Sequence, residues 1–201
     1  MDWRMAVAKR ETQMKQTRSE YATLGGGCFW CTEAVFRRAP GVLETACGYS
    51  AGSMKSPDYQ AVCSGRTGHA EVIQLQFDPE IISYPQLLDI FFAIHDPTAP
   101  HRQGADIGTQ YRSIILYNST EQHDAAFAAI IEQTKQRQCP VATELEAASH
   151  FYRAEDAHQD YYGRHPDQPY CRAVILPKIS YLKDVGRAEK GPETPAGNDN
   201  E

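Results

Sequence analysis

No stretch of this 201-residue chain approaches the ~20 consecutive apolar residues of a membrane-crossing helix, which argues against a membrane role. Basic residues are outnumbered, 20 Lys and Arg against 26 Asp and Glu, and they form no stripe. A nucleic-acid-binding body needs the opposite balance. The apolar tetrad Met5-Ala6-Val7-Ala8 is shorter than the core of about 7–15 residues in a secretory signal, so a cytoplasmic location is expected. There is no internal repeat, and Gly25-Gly26-Gly27 lacks the lysine and spacing of a phosphate-binding loop. The six cysteines include one C-x-x-C, Cys28 and Cys31, but Cys47 and Cys63 stand alone, so a zinc-binding interaction module lacks its second pair. In a reducing compartment these cysteines should rest as thiols, and a C-x-x-C then reads as catalytic or metal-binding before it reads as a staple.

With 41% hydrophobic residues the chain can bury one core, and a single domain over 20–185 is expected. Residues 1–19 are polar and mildly basic and are expected to be a flexible extension. Residues 186–201 have almost nothing apolar to bury and should be a disordered tail. Between them the pattern predicts a strand at 20–24, a helix from Cys28 to about Arg38 stopped by Pro40-Gly41, and a strand from Val42 to Tyr49. His69 to Phe77 alternates as a half-buried strand. Ser83 caps a helix with Pro85 in its first turn, and Ser119-x-x-Gln122 is a capping box opening a longer one. Ser113 to Tyr117 and Val141 to Ala147 read as strands, 155–163 and Pro177 to Val185 as short helices. Without a regular βαβ rhythm, an α+β fold with an antiparallel or mixed sheet is expected. Two irregular stretches of about fifteen residues, after Tyr49 and from His95 to Tyr111, exceed the usual connection and mark functional loops.

The most informative segment is Gly27-Cys28-Phe29-Trp30-Cys31. It sets a cysteine where a strand ends, glycines turn and a helix begins. Free N–H groups and the positive end of the helix dipole favour a thiolate there. Two large aromatics follow, and a second sulfur lies at i+3 on the same helix face. Four readings of Cys28 stand: an inert buried thiol, a zinc ligand, a general C-x-x-C thiol–disulfide oxidoreductase, and a nucleophile attacking a small molecule. Only the last explains the aromatics as well as the sulfurs. Glu71 beside His69, Tyr59, and Tyr111 in Gly108-Thr109-Gln110-Tyr111-Arg112-Ser113 are each ordinary when taken alone.

Together, Gly-Cys-Phe-Trp, Gly-His-Ala-Glu and Gly-Thr-Gln-Tyr-Arg-Ser, in this order and spacing, closely resemble the A-class peptide methionine sulfoxide reductases. Cys47-Gly48-Tyr49 with Gly52, Ile82-Ser83-Tyr84, His95-Asp96-Pro97, Arg102-Gln103-Gly104-x-Asp106 and Phe151-Tyr152-x-Ala154-Glu155-Asp156-x-His158-Gln159 match as well. The similarity runs from about Tyr21 to about Cys171. It departs at Cys31, where many relatives have glycine, and after Cys171, where many carry a glycine-rich tail with further cysteines.

The resemblance implies a two-layer α+β sandwich of ferredoxin-like plan and reduction of the S epimer of methionine sulfoxide, free or in proteins. It implies Cys28 as nucleophile, Glu71 as the acid that protonates the departing oxygen, and Tyr59 and Tyr111 as hydrogen-bond donors to that oxygen. Phe29 and Trp30 would wall the ε-methyl group, and Asp106 would receive the substrate's backbone amide, although an aspartate in a loop also caps turns. A free Glu with a pKa of about 4.3 is ionised at neutral pH, so this role demands burial. Cys28 would emerge as a sulfenic acid, condense with a second thiol, and be recycled by thioredoxin. Cys31, near at i+3, and Cys171, at a family position that often resolves and in a segment expected to be mobile coil, both remain candidates for that thiol. No cofactor or metal is called for, and a monomer is expected.

Overall fold

The strand that leads to Cys28, β1 (Glu20–Gly26), lies in the middle of a six-stranded sheet ordered β7-β6-β1-β3-β2-β8. The computed structural model describes residues 19–182. The extension expected before residue 19 and the tail expected at 186–201 lie outside the described residues. Helix α1 (Phe29–Phe36) carries the chain from β1 to β2 (Val42–Ser50), which pairs not with β1 but with β3 (Ala70–Phe77). β3 is antiparallel to both β1 and β2 and lies between them. The second half repeats the move: from β3, helix α3 (Tyr84–Ala93) leads across β1 to β6 (Ser113–Tyr117), antiparallel to β1. Two split βαβ units interlocked this way are the ferredoxin-like plan, and the fold is α+β as expected. Helix α4 (Thr120–Arg137) returns the chain to β7 (Glu144–Ala147), parallel to β6, and β8 (Tyr152–Arg153) closes the other edge on β2.

Alternation along the strands sorts two faces. Leu24, Tyr49, Ile73, Leu75, Phe77 and Ile115 point toward the helices, where they meet Val35, Phe36, Leu87, Leu88, Phe91 and Phe92 in one core. The opposite face holds a smaller cluster, Ala70, Val72, Ile114 and Leu116, covered by Ala51 and Phe151. Burying each large side chain of the main core contributes about 1.5–3 kcal/mol. Gly25 is required where these layers meet the site: a Cβ there would stand 2.8 Å from both the Glu71 carbonyl oxygen and an Ile114 methyl.

Several boundaries differ from the sequence reading. The first long loop contains a one-turn helix, α2 (Tyr59–Cys63), capped by the Asp58 carboxylate, which accepts from Ala61 N–H at 2.7 Å. The second contains a two-residue hairpin, β4 (Arg102–Gln103) with β5 (Asp106–Ile107). The strand expected from Val141 begins only at Glu144, where parallel pairing with Ile114 starts. Residues 155–163 split into a 3₁₀ turn, Asp156–His158, and helix α5 (Tyr161–Arg164), separated by Asp160 at φ 48°. The box at α4 is half-formed: Ser119 accepts from Gln122 N–H at 3.3 Å. The Gln122 side chain instead donates to the Tyr21 carbonyl at 2.8 Å, tying α4 to β1.

The mobile coil expected around Cys171 is corrected outright. Residues 169–182 form one helical run containing a π-helical stretch, Cys171–Ile175, and Cys171 is fully buried. Pro169 opens that run, where its missing N–H costs nothing.

Candidate active site

Cys28 stands at the cap of α1 with φ −56° and ψ 124°, and its side chain makes no capping hydrogen bond. Gly27 before it takes φ +95°, and a Cβ there would collide with Gln103. The chain therefore turns sharply out of β1 and leaves the first helical N–H free of a local partner. Phe29 N–H donates to Glu71 Oε2 at 3.0 Å. A free donor at a helix start is thus satisfied by a carboxyl group from the adjacent strand β3.

That contact puts the Glu71 carboxyl against the residue that follows Cys28. Glu71 is 1% exposed, and burial pushes its carboxyl up to about 8, against the Phe29 N–H, with the Asp106 charge adding to the rise. It carries its proton at neutral pH, as an acid facing an oxygen must. Cys28 behaves differently from the sequence reading. Burial raises it well above an ordinary thiol, and Cys31 and Glu71 push the same way, so the helix start does not hold it as a thiolate. Cys31 is instead drawn down to about 7, chiefly by a hydrogen bond from Cys28, against its own burial. All six cysteines are free thiols.

Aromatic rings surround the pair. Trp30 stacks on Tyr161 with centroids 3.8 Å apart and 8° between planes. His158 lies 4.4 Å from Tyr59 and 5.6 Å from Trp30, centroid to centroid. Phe29 is buried against Tyr49 at 5.8 Å. Burial raises the Tyr59 and Tyr111 hydroxyls, with Cys63 adding to the rise at Tyr59, so both remain donors. The Glu155 carboxylate fixes the loop that carries Tyr59: Oε1 accepts from Tyr59 N–H at 2.9 Å and Oε2 from the Tyr49 hydroxyl at 3.0 Å. Arg112 does the same for the Tyr111 side. It is buried, paired with Glu144 at 2.8 Å, and donates to the carbonyls of Thr109, Ala51 and Gly68.

Asp106 joins the site through Tyr170, whose hydroxyl donates to Asp106 Oδ2 at 3.0 Å and lies 3.4 Å from Cys31 Sγ. Cys171 is raised by burial and then by the Cys31 charge. Sequence reasoning missed Tyr161, Tyr170 and the anchoring role of Glu155. The signal for Tyr170 was its place immediately before Cys171; for Tyr161, its closeness to the His158-Gln159 segment.

Among the described residues, no group of three or more His, Cys, Asp or Glu side chains could hold a metal ion, and no helix is long and apolar enough to cross a membrane. A cavity of about 950 Å³ opens at the other end of β1 around Glu20, Tyr84 and Gln122, and no cysteine lines it.

Comparison with known proteins agrees with this geometry. Residues 20–190 match the family described as peptide methionine sulfoxide reductase. The chain is 55% identical over 160 residues to peptide methionine sulfoxide reductase MsrA of Sulfolobus acidocaldarius, covering 80% of this chain and 91% of that protein. Mxr1 from Saccharomyces cerevisiae in its reduced form superposes with a TM-score of 0.73 at 34% identity, over 78% of this chain and 91% of that one. The same yeast protein in complex with Trx2 aligns with a TM-score of 0.53 at 25% identity, over 73% of this chain and 87% of that one. A cysteine at a helix start, a buried carboxyl group beside it and a match over most of the fold converge, and the chain belongs to the peptide methionine sulfoxide reductase family.

Proposed function

We propose that this protein reduces the S epimer of methionine sulfoxide by attack of Cys28 on sulfur while Glu71 protonates oxygen. The observation that carries the reading is the Phe29 N–H to Glu71 contact, which seats a carboxyl group charged with a proton against the residue that follows the nucleophile. A sulfoxide cannot expel oxide, so the S–O bond breaks only if the oxygen is protonated as sulfur is attacked. Cys31, drawn down to about 7 and so partly thiolate near neutral pH, takes the proton of Cys28, and the resulting Cys28 thiolate attacks. Glu71 delivers a proton to the oxygen, the oxygen ends on Cys28 as a sulfenic acid, methionine leaves as the thioether, and Glu71 is reprotonated from water. Tyr59 and Tyr111 donate to the oxygen as its charge develops. Phe29 and Trp30 take the methyl group, and the contrast between an apolar and a hydrogen-bonding wall selects the handedness of sulfur.

Cys31 is the thiol in hydrogen-bond contact with Cys28, so it condenses first with the sulfenic acid, releasing water and forming a disulfide. Cys171, whose thiol feels the Cys31 charge, then exchanges with that disulfide. Thioredoxin as the final reductant is supported by the relative solved in complex with Trx2. A general thiol–disulfide oxidoreductase would have no use for a buried protonated Glu71.

The test is a diastereomer-resolved reductase assay with dithiothreitol as electron donor. Consumption of the S epimer alone is expected; consumption of the R epimer, or of neither, would overturn the reading.

A further inference from the structure

Tyr170 is the one side chain that touches both a sulfur of the reactive pair and the carboxylate expected to hold the substrate's backbone. Its hydroxyl has a single proton and competing acceptors: Asp106 Oδ2 at 3.0 Å, Cys31 Sγ at 3.4 Å and the neighbouring Cys28 sulfur. We propose that Tyr170 is a substrate-operated proton switch: a substrate amide that claims Asp106 turns the Tyr170 O–H from that carboxylate onto Cys31 and converts Cys31 from thiol to thiolate. The inference rests on the reading of Asp106 as the amide-binding residue and adds to it a consequence for the second sulfur.

The electrostatics permit such a switch. Burial and the two neighbouring sulfurs raise the Tyr170 hydroxyl, so it never yields its proton and remains a donor in either position. With that proton on Asp106, the oxygen lone pairs face Cys31, and they favour a sulfur that keeps its own proton. With the proton turned round, the hydrogen bond stabilises the charged sulfur. Cys31 already sits near 7, where one hydrogen bond changes the thiolate fraction most. The groups that face it are Cys28, whose S–H donates to it, Lys178 from the C-terminal helical run, Tyr170, Asp106, Glu71 and Cys171. Among these, the Tyr170 hydroxyl alone also bonds to Asp106. The position suits the chemistry: Tyr170 packs edge-on against Trp30, centroids 6.1 Å apart, and immediately precedes the buried Cys171. Seating a methionyl backbone would thereby raise the share of the second sulfur present as thiolate above its share in the unoccupied enzyme.

The experiment follows Cys31 by thiolate absorbance near 240 nm, taken as the difference from Cys31→Ser, in the full chain with and without ligand. The ligands are N-acetyl-methionine methylamide, which carries thioether and amide, and dimethyl sulfide, which has no amide. In the wild type the amide ligand should lower the Cys31 transition by about one pH unit, the effect of one hydrogen bond to a charged group. Dimethyl sulfide should leave it in place, and Tyr170→Phe should bind the amide ligand without any shift. An equal shift in Tyr170→Phe, an equal shift with dimethyl sulfide, or no shift in saturated wild type would overturn the switch. Binding of the amide ligand that is unchanged in Asp106→Asn would instead overturn the reading of Asp106 beneath it.

Discussion

Helices α1 and α3 meet the same problem at their N-termini and answer it in opposite ways. At α3 the donors are satisfied locally: Ser83 Oγ accepts from Gln86 N–H at 3.4 Å, and the Gln86 side chain accepts from Ser83 N–H at 2.9 Å. Three residues of sequence close that end, and it does nothing else. At α1 the cap position holds a cysteine that makes no cap, and the first N–H reaches a carboxyl group 42 residues away. The comparison teaches that a helix start left open by its own side chains must be completed by the fold. Here that completion also brings to the Cys28 end the carboxyl group proposed as the acid, at the cost of burying a group that would rather ionise in water.

Breaking the α1 end should remove activity, and breaking the α3 end should remove only stability. Cys28→Ser is the extreme case. Its hydroxyl is far too weak an acid to attack sulfur, so steady-state turnover measured with dithiothreitol should vanish while the circular dichroism spectrum is kept. Glu71→Gln retains the acceptor for Phe29 N–H but cannot give up a proton. The methionine-forming step, followed by rapid quench, should slow by about 10²–10⁴-fold. Tyr111→Phe and Tyr59→Phe each remove one donor to the developing oxyanion. Each should cost about 10²-fold in the same step, with less effect on ligand affinity. Ser83→Ala is the control from the other helix. It should cost about 1 kcal/mol of stability, read as a drop of about 2–4 °C in thermal midpoint, with turnover unchanged.

How much of this was legible in the sequence follows the same divide. Local features were readable: the Ser83 cap, the alternation through Ile73 and Leu75, and the cysteine after three glycines all depend on neighbours in the chain. The family motifs brought Glu71, Tyr59 and Tyr111 to notice, although none stands out by local chemistry. What the sequence hid was tertiary. Burial, which nothing near Cys28 announces, keeps its thiol up and leaves Cys31 as the acidic sulfur. The Tyr170 bridge joins Asp106 to a residue 64 positions on and has no local signal. Pro166 and Pro169 suggested coil around Cys171, yet Pro169 opens the helical run and fits its first turn. The five-residue α2 is too short to show an apolar period, so only its Asp58 cap could have revealed it.

The central claim is that Glu71 supplies the proton at the α1 end, and the pH dependence of a single turnover tests it most directly. Glu71 is an acid held near 8, so the proton it must give is present below that value and lost above it. The rate of methionine formation in wild type should therefore fall as pH rises through about 8. Glu71→Gln, slower throughout, should show no such fall, since its remaining titrating groups are sulfurs that gain reactivity as pH rises. A descending limb of the same position and depth in Glu71→Gln would contradict the account and assign the proton to another group.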